Sequence, residues 1–262
     1  MTLTPYYETE LGKLYHGDCL EIMPELEPVD LVVTSPPYDD LREYGGYVFN
    51  FYKTAFLLRN LLVTGGVIVW VVGDATINGS ETGTSARQKL FFKAIGLNIH
   101  DTMIYEKENY MPVQLAGNRY ANSFEYMFVF SKNKPKTVNL IKTRTRTRTR
   151  GTVYNKDGSK TKMKGSVNKL KIIPNIWSYC VGVYGNNKVH PAIFPRALAQ
   201  DHILSWSNER DLVLDPMCGS GTTCKMAEKL NRRWIGIEIE EKYCEIAAKR
   251  IEKERSQLKL WS

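Results

Sequence analysis

The sequence predicts an α/β protein, an open and mostly parallel sheet covered by helices and interrupted by one small basic insertion. Three observations lead there. Short apolar runs alternate with stretches of helical period along most of the chain. Several of those runs, Val67 to Val72 above all, are apolar at every position, as strands are when both sheet faces are covered. Positive charge is concentrated in one place: Lys132 to Lys171 holds ten lysines, four arginines and one acid, Asp157, so this segment is +13 and the remainder of the +8 chain is −5.

In chain order, Lys13 to His16 is a strand candidate ending in Gly17-Asp18. Val29 to Thr34 is a β-branched run stopped by Ser35-Pro36-Pro37-Tyr38, because proline cannot continue an interior strand. Phe51, Ala55, Leu58 and Leu62 fall at helical spacing and predict a helix over Tyr47 to Leu62, broken by Gly65-Gly66. A buried strand follows at Val67 to Val72, then a helix from Ser85 to Ile95 closed by Gly96. Ile99 to Tyr105 and Glu125 to Phe130 are strands. Beyond the basic segment, Pro195 to Trp206 reads as a helix, Leu212 to Leu214 as a strand, Thr222 to Leu230 as a helix, Trp234 to Ile239 as a strand and Glu241 to Glu254 as a final helix.

A chain of 262 residues fits one domain, or one domain with an insertion. With 43% hydrophobic and 24% charged residues, the composition excludes wholesale disorder. No run approaches the roughly 18 apolar residues of a membrane helix, and MTLTPYYETE lacks the basic start and apolar block of a secretory signal. A cytoplasmic protein without membrane contact is expected. Cys19, Cys180, Cys218, Cys224 and Cys244 are odd in number and lack C-x-x-C spacing, which argues against a disulfide framework or a zinc ribbon. The four histidines are scattered, so no metal is predicted.

A charge of +13 in 40 residues exceeds what solubility requires, and phosphate is its natural partner. Within it, Thr143 to Arg150 alternates strictly. On a strand this puts Arg144, Arg146, Arg148 and Arg150 on one face, roughly 7 Å apart, a workable ladder for backbone phosphates. Nucleic-acid contact is favoured over an inert solvated loop.

In open α/β sheets ligands sit at the carboxyl ends of strands. Here Gly219-x-Gly221 follows a strand and opens a helix. Cys224 occupies the third glycine position of the dinucleotide pattern, and no Gly-Lys-Ser/Thr follows, so neither that pattern nor the phosphate loop is met. The next strand ends in Glu238, an acceptor for ribose hydroxyls. Strand, glycine turn, helix, strand and acid point to a nucleoside cofactor rather than to a plain helix cap beside a surface glutamate.

Thr34-Ser35-Pro36-Pro37-Tyr38, followed late in the chain by Asp215-Pro216-Met217-Cys218-Gly219-Ser220-Gly221-Thr222-Thr223, resembles the S-adenosylmethionine-dependent DNA amino-methyltransferases, in the order of their circularly permuted β group. His16-Gly17-Asp18-Cys19, Leu62-Val63-Thr64-Gly65-Gly66, Phe124 to Lys132 and His190-Pro191-Ala192-Ile193-Phe194-Pro195 resemble further segments of that group in the same order. Met217 stands where members often carry phenylalanine. The resemblance implies a Rossmann-like methyltransferase sheet, with residues 1–131 as its catalytic half, 132–175 as the target-recognition insertion and 176–262 as its cofactor-binding half. It implies S-adenosylmethionine as cofactor, S-adenosylhomocysteine as product, and double-stranded DNA as partner. A cognate restriction endonuclease and a homodimer are left open. It places Asp18 and Cys19 near the adenine, Glu238 on the ribose, Asp215, Gly219, Gly221 and Thr222 along the methionine part with Phe194 beside it, and counts Met217 and Ser220 among the cofactor-binding residues.

The exocyclic amino group of a base is a poor nucleophile, because its lone pair is delocalised into the ring. Ser35 Oγ and the Pro36 carbonyl are acceptors for its two protons, pre-placed by Pro36 and Pro37. Tyr38 offers an aromatic face to a base flipped from the duplex. Asp39-Asp40 reads as a polar turn rather than a metal site, and Gly45-Gly46 makes that loop a candidate lid. Ser-Pro-Pro-Tyr is the form usual among N4-cytosine members, Asp-Pro-Pro-Tyr among N6-adenine members. N4-cytosine is therefore expected, with N6-adenine as the alternative. An RNA or protein-glutamine methyltransferase and an inactive DNA-binding module are the more distant rivals.

Overall fold

The computed structural model describes residues 3–37, 49–109, 119–144, 152–162, 170–180 and 194–259. β1 (Tyr7–Glu8) and β2 (Gly12–His16) form a hairpin whose turn is closed by Thr9 Oγ1, which accepts from the Leu11 and Gly12 amides at 3.1 and 3.0 Å. α1 (Cys19–Ile22) starts at Asp18, whose carboxylate accepts from Leu20 N at 2.8 Å, a side-chain cap. β3 (Val29–Thr34), α2 (Phe51–Leu61) and β4 (Leu62–Val72) follow, α2 capped by Asn50 Oδ1 on Lys53 N. A small hairpin, β5 (Thr76–Ile77) and β6 (Ser80–Glu81), leads to α3 (Thr84–Ala94), β7 (Asn98–Lys107) and β8 (Phe124–Ser131). Then come β9 (Lys142–Arg144), β10 (Thr152–Tyr154), β11 (Lys160–Lys162), β12 (Leu170–Ile172) and β13 (Ile176–Tyr179). The chain closes with α4 (Arg196–Trp206), β14 (Leu212–Asp215), α5 (Thr222–Lys229), β15 (Arg233–Glu238) and α6 (Glu241–Lys259).

Two compact units result, one of Met1–Asn139 with Asn175–Ser262, the other of Leu140–Pro174. The larger unit is built on a nine-stranded sheet ordered β1-β2-β15-β14-β3-β4-β8-β7-β13. Pairing is parallel from β2 through β4 and between β7 and β13, and antiparallel for β1–β2, β4–β8 and β8–β7. Alternate residues point to opposite faces. Val32, Ile68, Trp70, Phe128, Phe130, Leu214 and Ile237 join Phe51, Ala55 and Leu58 of α2 and Phe92 of α3 in one core cluster. Their neighbours Leu31, Val33, Val67, Val69, Val71, Met127, Val129 and Val213 are also buried. α4 packs on β3, α5 on β14 and β15, and α6 on β15 and β2. The apolar runs are therefore apolar because both faces are covered.

Gly65-Gly66 bends β4 rather than ending an element before it. Gly65 adopts φ +80° and exchanges backbone bonds with Lys132 and Lys136, and the β3–β4 register shifts between Val29 and Leu31. The strand therefore starts at Leu62, five residues before its apolar run. The smaller unit holds two antiparallel ribbons. β9 pairs β12 with Lys142 opposite Ile172 and Thr143 opposite Lys171, and β10 pairs β11 around a turn tied by Asp157 to Ser159.

Candidate active site

β2, β15, β14, β3 and β4 are adjacent and parallel, so their carboxyl ends share one edge of the sheet. The chain leaves β3 towards β4 but leaves β14 towards β15, in the opposite direction. The β14–β3 boundary is thus the topological switch point, where such sheets open a crevice. Thr34 ends β3 and Asp215 ends β14. Thr34 Oγ1 donates to Asp215 Oδ1 at 2.8 Å, and Met217 N donates to the same oxygen at 3.3 Å. Thr223 Oγ1, in the first turn of α5, lies against both the Val33 carbonyl, at 3.1 Å, and the Asp215 carboxylate, and its one proton serves one of them at a time. Burial lifts the Asp215 carboxyl to about 6, against the bonds from Thr34, Thr223 and Met217 and with the charge of Glu238.

The turn between β14 and α5 is held at each step. Cys218 N donates to the Ile237 carbonyl at 2.9 Å, Gly219 N to Glu238 Oε2 at 2.7 Å, and Gly221 N to the Cys218 carbonyl at 2.8 Å. Gly219 and Gly221 both adopt left-handed backbone, φ +51° and +72°. A Cβ on Gly221 would also lie 2.7 Å from Ala247 Cβ of α6, so both conformation and space demand glycine. Glu238 is 8% exposed. Its carboxylate accepts from the backbone amides of Gly219, Glu240 and Ile239, and burial still holds its carboxyl above the usual range. A carboxylate offers about four acceptor positions, so capacity remains for a hydroxyl donor. An acceptor at a strand end, beside a glycine turn that lets a ligand approach the backbone, fits the adenosyl and methionine parts of S-adenosylmethionine.

A sequence model of the N6/N4 DNA methylase family matches residues 29–249. The chain belongs to that family. It is an S-adenosylmethionine-dependent DNA methyltransferase. Among curated relatives, the orphan methyltransferase M.BamHII of Bacillus amyloliquefaciens is 49% identical over 249 residues, covering 90% of each chain. Among solved structures, the PvuII DNA methyltransferase (cytosine-N4-specific) superposes with a TM-score of 0.72 at 22% identity, covering 97% of this chain and 94% of the other. M1.HpyAVI, solved as a complex with S-adenosylmethionine, gives 0.60 at 24% identity over 92% of this chain and 98% of the other.

The fold of this methylase gathers many of the sequence-derived residues on one edge. Ser35, Pro36 and Pro37 leave β3 at the switch point, Pro36 buried and its neighbours half-buried. Asp18 and Cys19 follow β2, whose His16 pairs with Glu238; Asp18 is engaged as the α1 cap, and Cys19 is buried. Met217 is half-buried against the core cluster. Thr222 is buried at the start of α5, and Phe194, half-buried, precedes the α4 cap Pro195. Ser220 is buried, and its hydroxyl and carbonyl are both taken by Arg250. Arg144 ends β9 in the smaller unit. Tyr38, Asp39, Asp40, Gly45, Gly46, Arg146, Arg148, Arg150 and residues 190–193 lie outside the described residues.

Three residues that shape the site are given no role by the sequence. Thr34 and Thr223 stand at the ends of the two family-like segments without a function of their own there, and Arg250 reads as one charge among many on α6. Among the described residues, no group of three or more His, Cys, Asp or Glu is arranged to hold a metal, and no helix is long and apolar enough to cross a membrane.

Proposed function

We propose that the methyl acceptor is the exocyclic N4 of a cytosine flipped out of double-stranded DNA. The observation that carries this reading is the serine of Thr34-Ser35-Pro36-Pro37, at the switch point beside the Asp215–Gly221 turn, where an aspartate would be usual for an adenine enzyme. The cytosine-N4 specificity of the PvuII neighbour agrees with it.

S-adenosylmethionine, when bound, supplies a methyl group on a positively charged sulfur. The residues proposed to hold it are Asp18, Cys19, Phe194, Asp215, Met217, Gly219, Ser220, Gly221, Thr222 and Glu238. Ser35 Oγ and the Pro36 carbonyl accept hydrogen bonds from the cytosine amino protons and turn the nitrogen lone pair towards the methyl group. Pro36 and Pro37 fix φ near −65°, which keeps those acceptors in place without ordering at the moment of reaction. Tyr38 stacks on the base. The insertion at 132–175, with Arg144, Arg146, Arg148 and Arg150, neutralises backbone phosphates of the DNA.

The test is incubation with isotope-labelled S-adenosylmethionine and unmethylated DNA, then digestion to nucleosides and mass spectrometry. Labelled N4-methylcytosine is expected. Labelled N6-methyladenine in its place would overturn the base assignment and leave the family and cofactor standing.

A further inference from the structure

We propose that Arg250, in the middle of α6, is the positioning residue that sets the cofactor turn in its binding conformation before any ligand arrives. The inference rests on the reading of the Asp215–Gly221 turn as part of the S-adenosylmethionine site.

Arg250 sits three residues after Ala247, on the face of α6 turned towards α5. Its Nη1 donates to the Ser220 carbonyl and to Ser220 Oγ, the latter at 2.5 Å, and Nη2 donates to Thr222 Oγ1 at 3.2 Å. One guanidinium thus ties the centre of the turn to the first residue of α5. Gly221 lies between those two contacts in sequence and packs directly against Ala247. The anchors on the strand side come from β14 and β15: Met217 N on Asp215, Cys218 N on Ile237, Gly219 N on Glu238. Among the described residues, Arg250 supplies the hydrogen-bonded anchor from α6. It acts at Ser220, where the main chain passes between two left-handed glycines and is least constrained by its own conformation.

Arginine suits this task because its planar fork presents five donors in a fixed geometry, and three acceptors must be met at once. Lysine has three donors radiating from one nitrogen at the end of a flexible stem, and cannot reproduce the fork. Glycine gives the turn its shape but makes it costly to order. A turn already pinned from β14, β15 and α6 loses less entropy when a ligand binds, which is affinity gained without a new ligand contact.

The experiment compares the full chain with Arg250→Gln, Arg250→Lys, Ser220→Ala and Glu238→Gln. Binding of S-adenosylhomocysteine is followed by calorimetry, amide hydrogen exchange of residues 218–222 is measured without ligand, and thermal unfolding checks folding. We expect Arg250→Gln to weaken binding by about 10- to 100-fold, the range for losing charge-assisted hydrogen bonds. Exchange at residues 218–222 should quicken about 10-fold, and KM for S-adenosylmethionine should rise while KM for DNA does not. Arg250→Lys should fall between native and Arg250→Gln. If Arg250→Gln proves unstable, Ser220→Ala alone must quicken exchange in the turn and weaken binding in the same direction. Native binding and native exchange in Arg250→Lys and Ser220→Ala would overturn the proposal, and so would weakened binding with unchanged exchange. If Glu238→Gln also binds at native affinity, the reading of the turn as the cofactor site falls, and this inference falls with it.

Discussion

Asp215 does two jobs that conflict. Its carboxylate joins the ends of β14 and β3 through Thr34, and it lies almost wholly out of water, which lifts its pKa from 3.8 to about 6. A carboxyl whose folded pKa lies above its unfolded one binds its proton more tightly in the native state. Stability therefore falls as pH rises from about 4 to about 6, and at neutral pH the buried charge costs about 3 kcal/mol. An asparagine at this position would keep an oxygen for Thr34 Oγ1 and Met217 N, and its amide could donate to Thr223 Oγ1. We expect Asp215→Asn to be more stable than the native chain at pH 7 by up to about 3 kcal/mol, with the slope between about pH 4 and 6 removed, and to bind S-adenosylhomocysteine more weakly. Urea unfolding at about pH 5 and pH 7 checks the first part and calorimetry the second. A less stable variant at pH 7 would mean that the bonds to Thr34, Thr223 and Met217 outweigh the cost of burial. Such a charge retained at a strand end is what a site spends stability on.

At the scale of elements, α4 carries the opposite pH dependence. His202 is fully buried, stacks obliquely on Trp177 at 4.7 Å and accepts from Trp206 Nε1 through Nδ1 at 3.3 Å. Its Nε2 meets the Met127 thioether, a weak acceptor, at 3.2 Å. A proton on Nδ1 would meet the indole N–H head-on, and burial pushes the imidazole down to about 3. The folded state therefore favours the neutral ring; its stability is full above about pH 6.5 and drains away as pH falls towards 3, by about 2 kcal/mol at pH 5. We expect His202→Gln, which can still accept from Trp206, to lose this acid slope in urea titrations between about pH 7 and 5; a slope unchanged from native would show that other groups drive it. Nothing in the sequence separates His202 from a surface histidine, since apart from Trp206, one turn further along α4, the groups packed against it come from β8 and β13. The strands are legible where both faces bury apolar residues, as in Val29–Thr34 and Val67–Val72. They are not legible where pairing alone makes the strand: Ile176–Tyr179 is a four-residue edge strand of mixed exposure, and Leu62–Gly66 reads as a helix end and a break. The glycine turn and Glu238 are readable because steric and acceptor demands leave few residue choices. Arg250 is not, because a half-buried fork and a solvated charge have the same letter in a helix as polar as α6.

For the whole molecule, the charge split of the sequence meets the division of the chain into two units. The +13 segment spans most of Leu140–Pro174, and the residues that flank that unit are fastened within the larger one. Asn139 N donates to the Ser205 carbonyl at 2.8 Å, and its side-chain amide reaches the Leu204 and Ser207 carbonyls at 3.3 Å. Asn175 Nδ2 donates to the Thr102 carbonyl, and the Asn175 carbonyl accepts from Ile104 N, both at 2.9 Å. Among the described residues, no strand of the nine-stranded sheet lies between these two asparagines. Replacing 140–174 by a flexible glycine-serine linker should therefore leave a body that unfolds cooperatively and binds S-adenosylhomocysteine with native affinity. DNA affinity should collapse, and its dependence on salt should flatten. Each phosphate no longer neutralised takes about 0.9 from the slope of log K against log salt, so the arginines of the ladder alone account for about 3 to 4. Fluorescence anisotropy with a labelled duplex across a salt series reads the slope directly. A replaced chain that keeps the native slope would place the phosphate contacts on the larger unit, whose net charge is negative, and would leave the arginine ladder without a role in holding DNA.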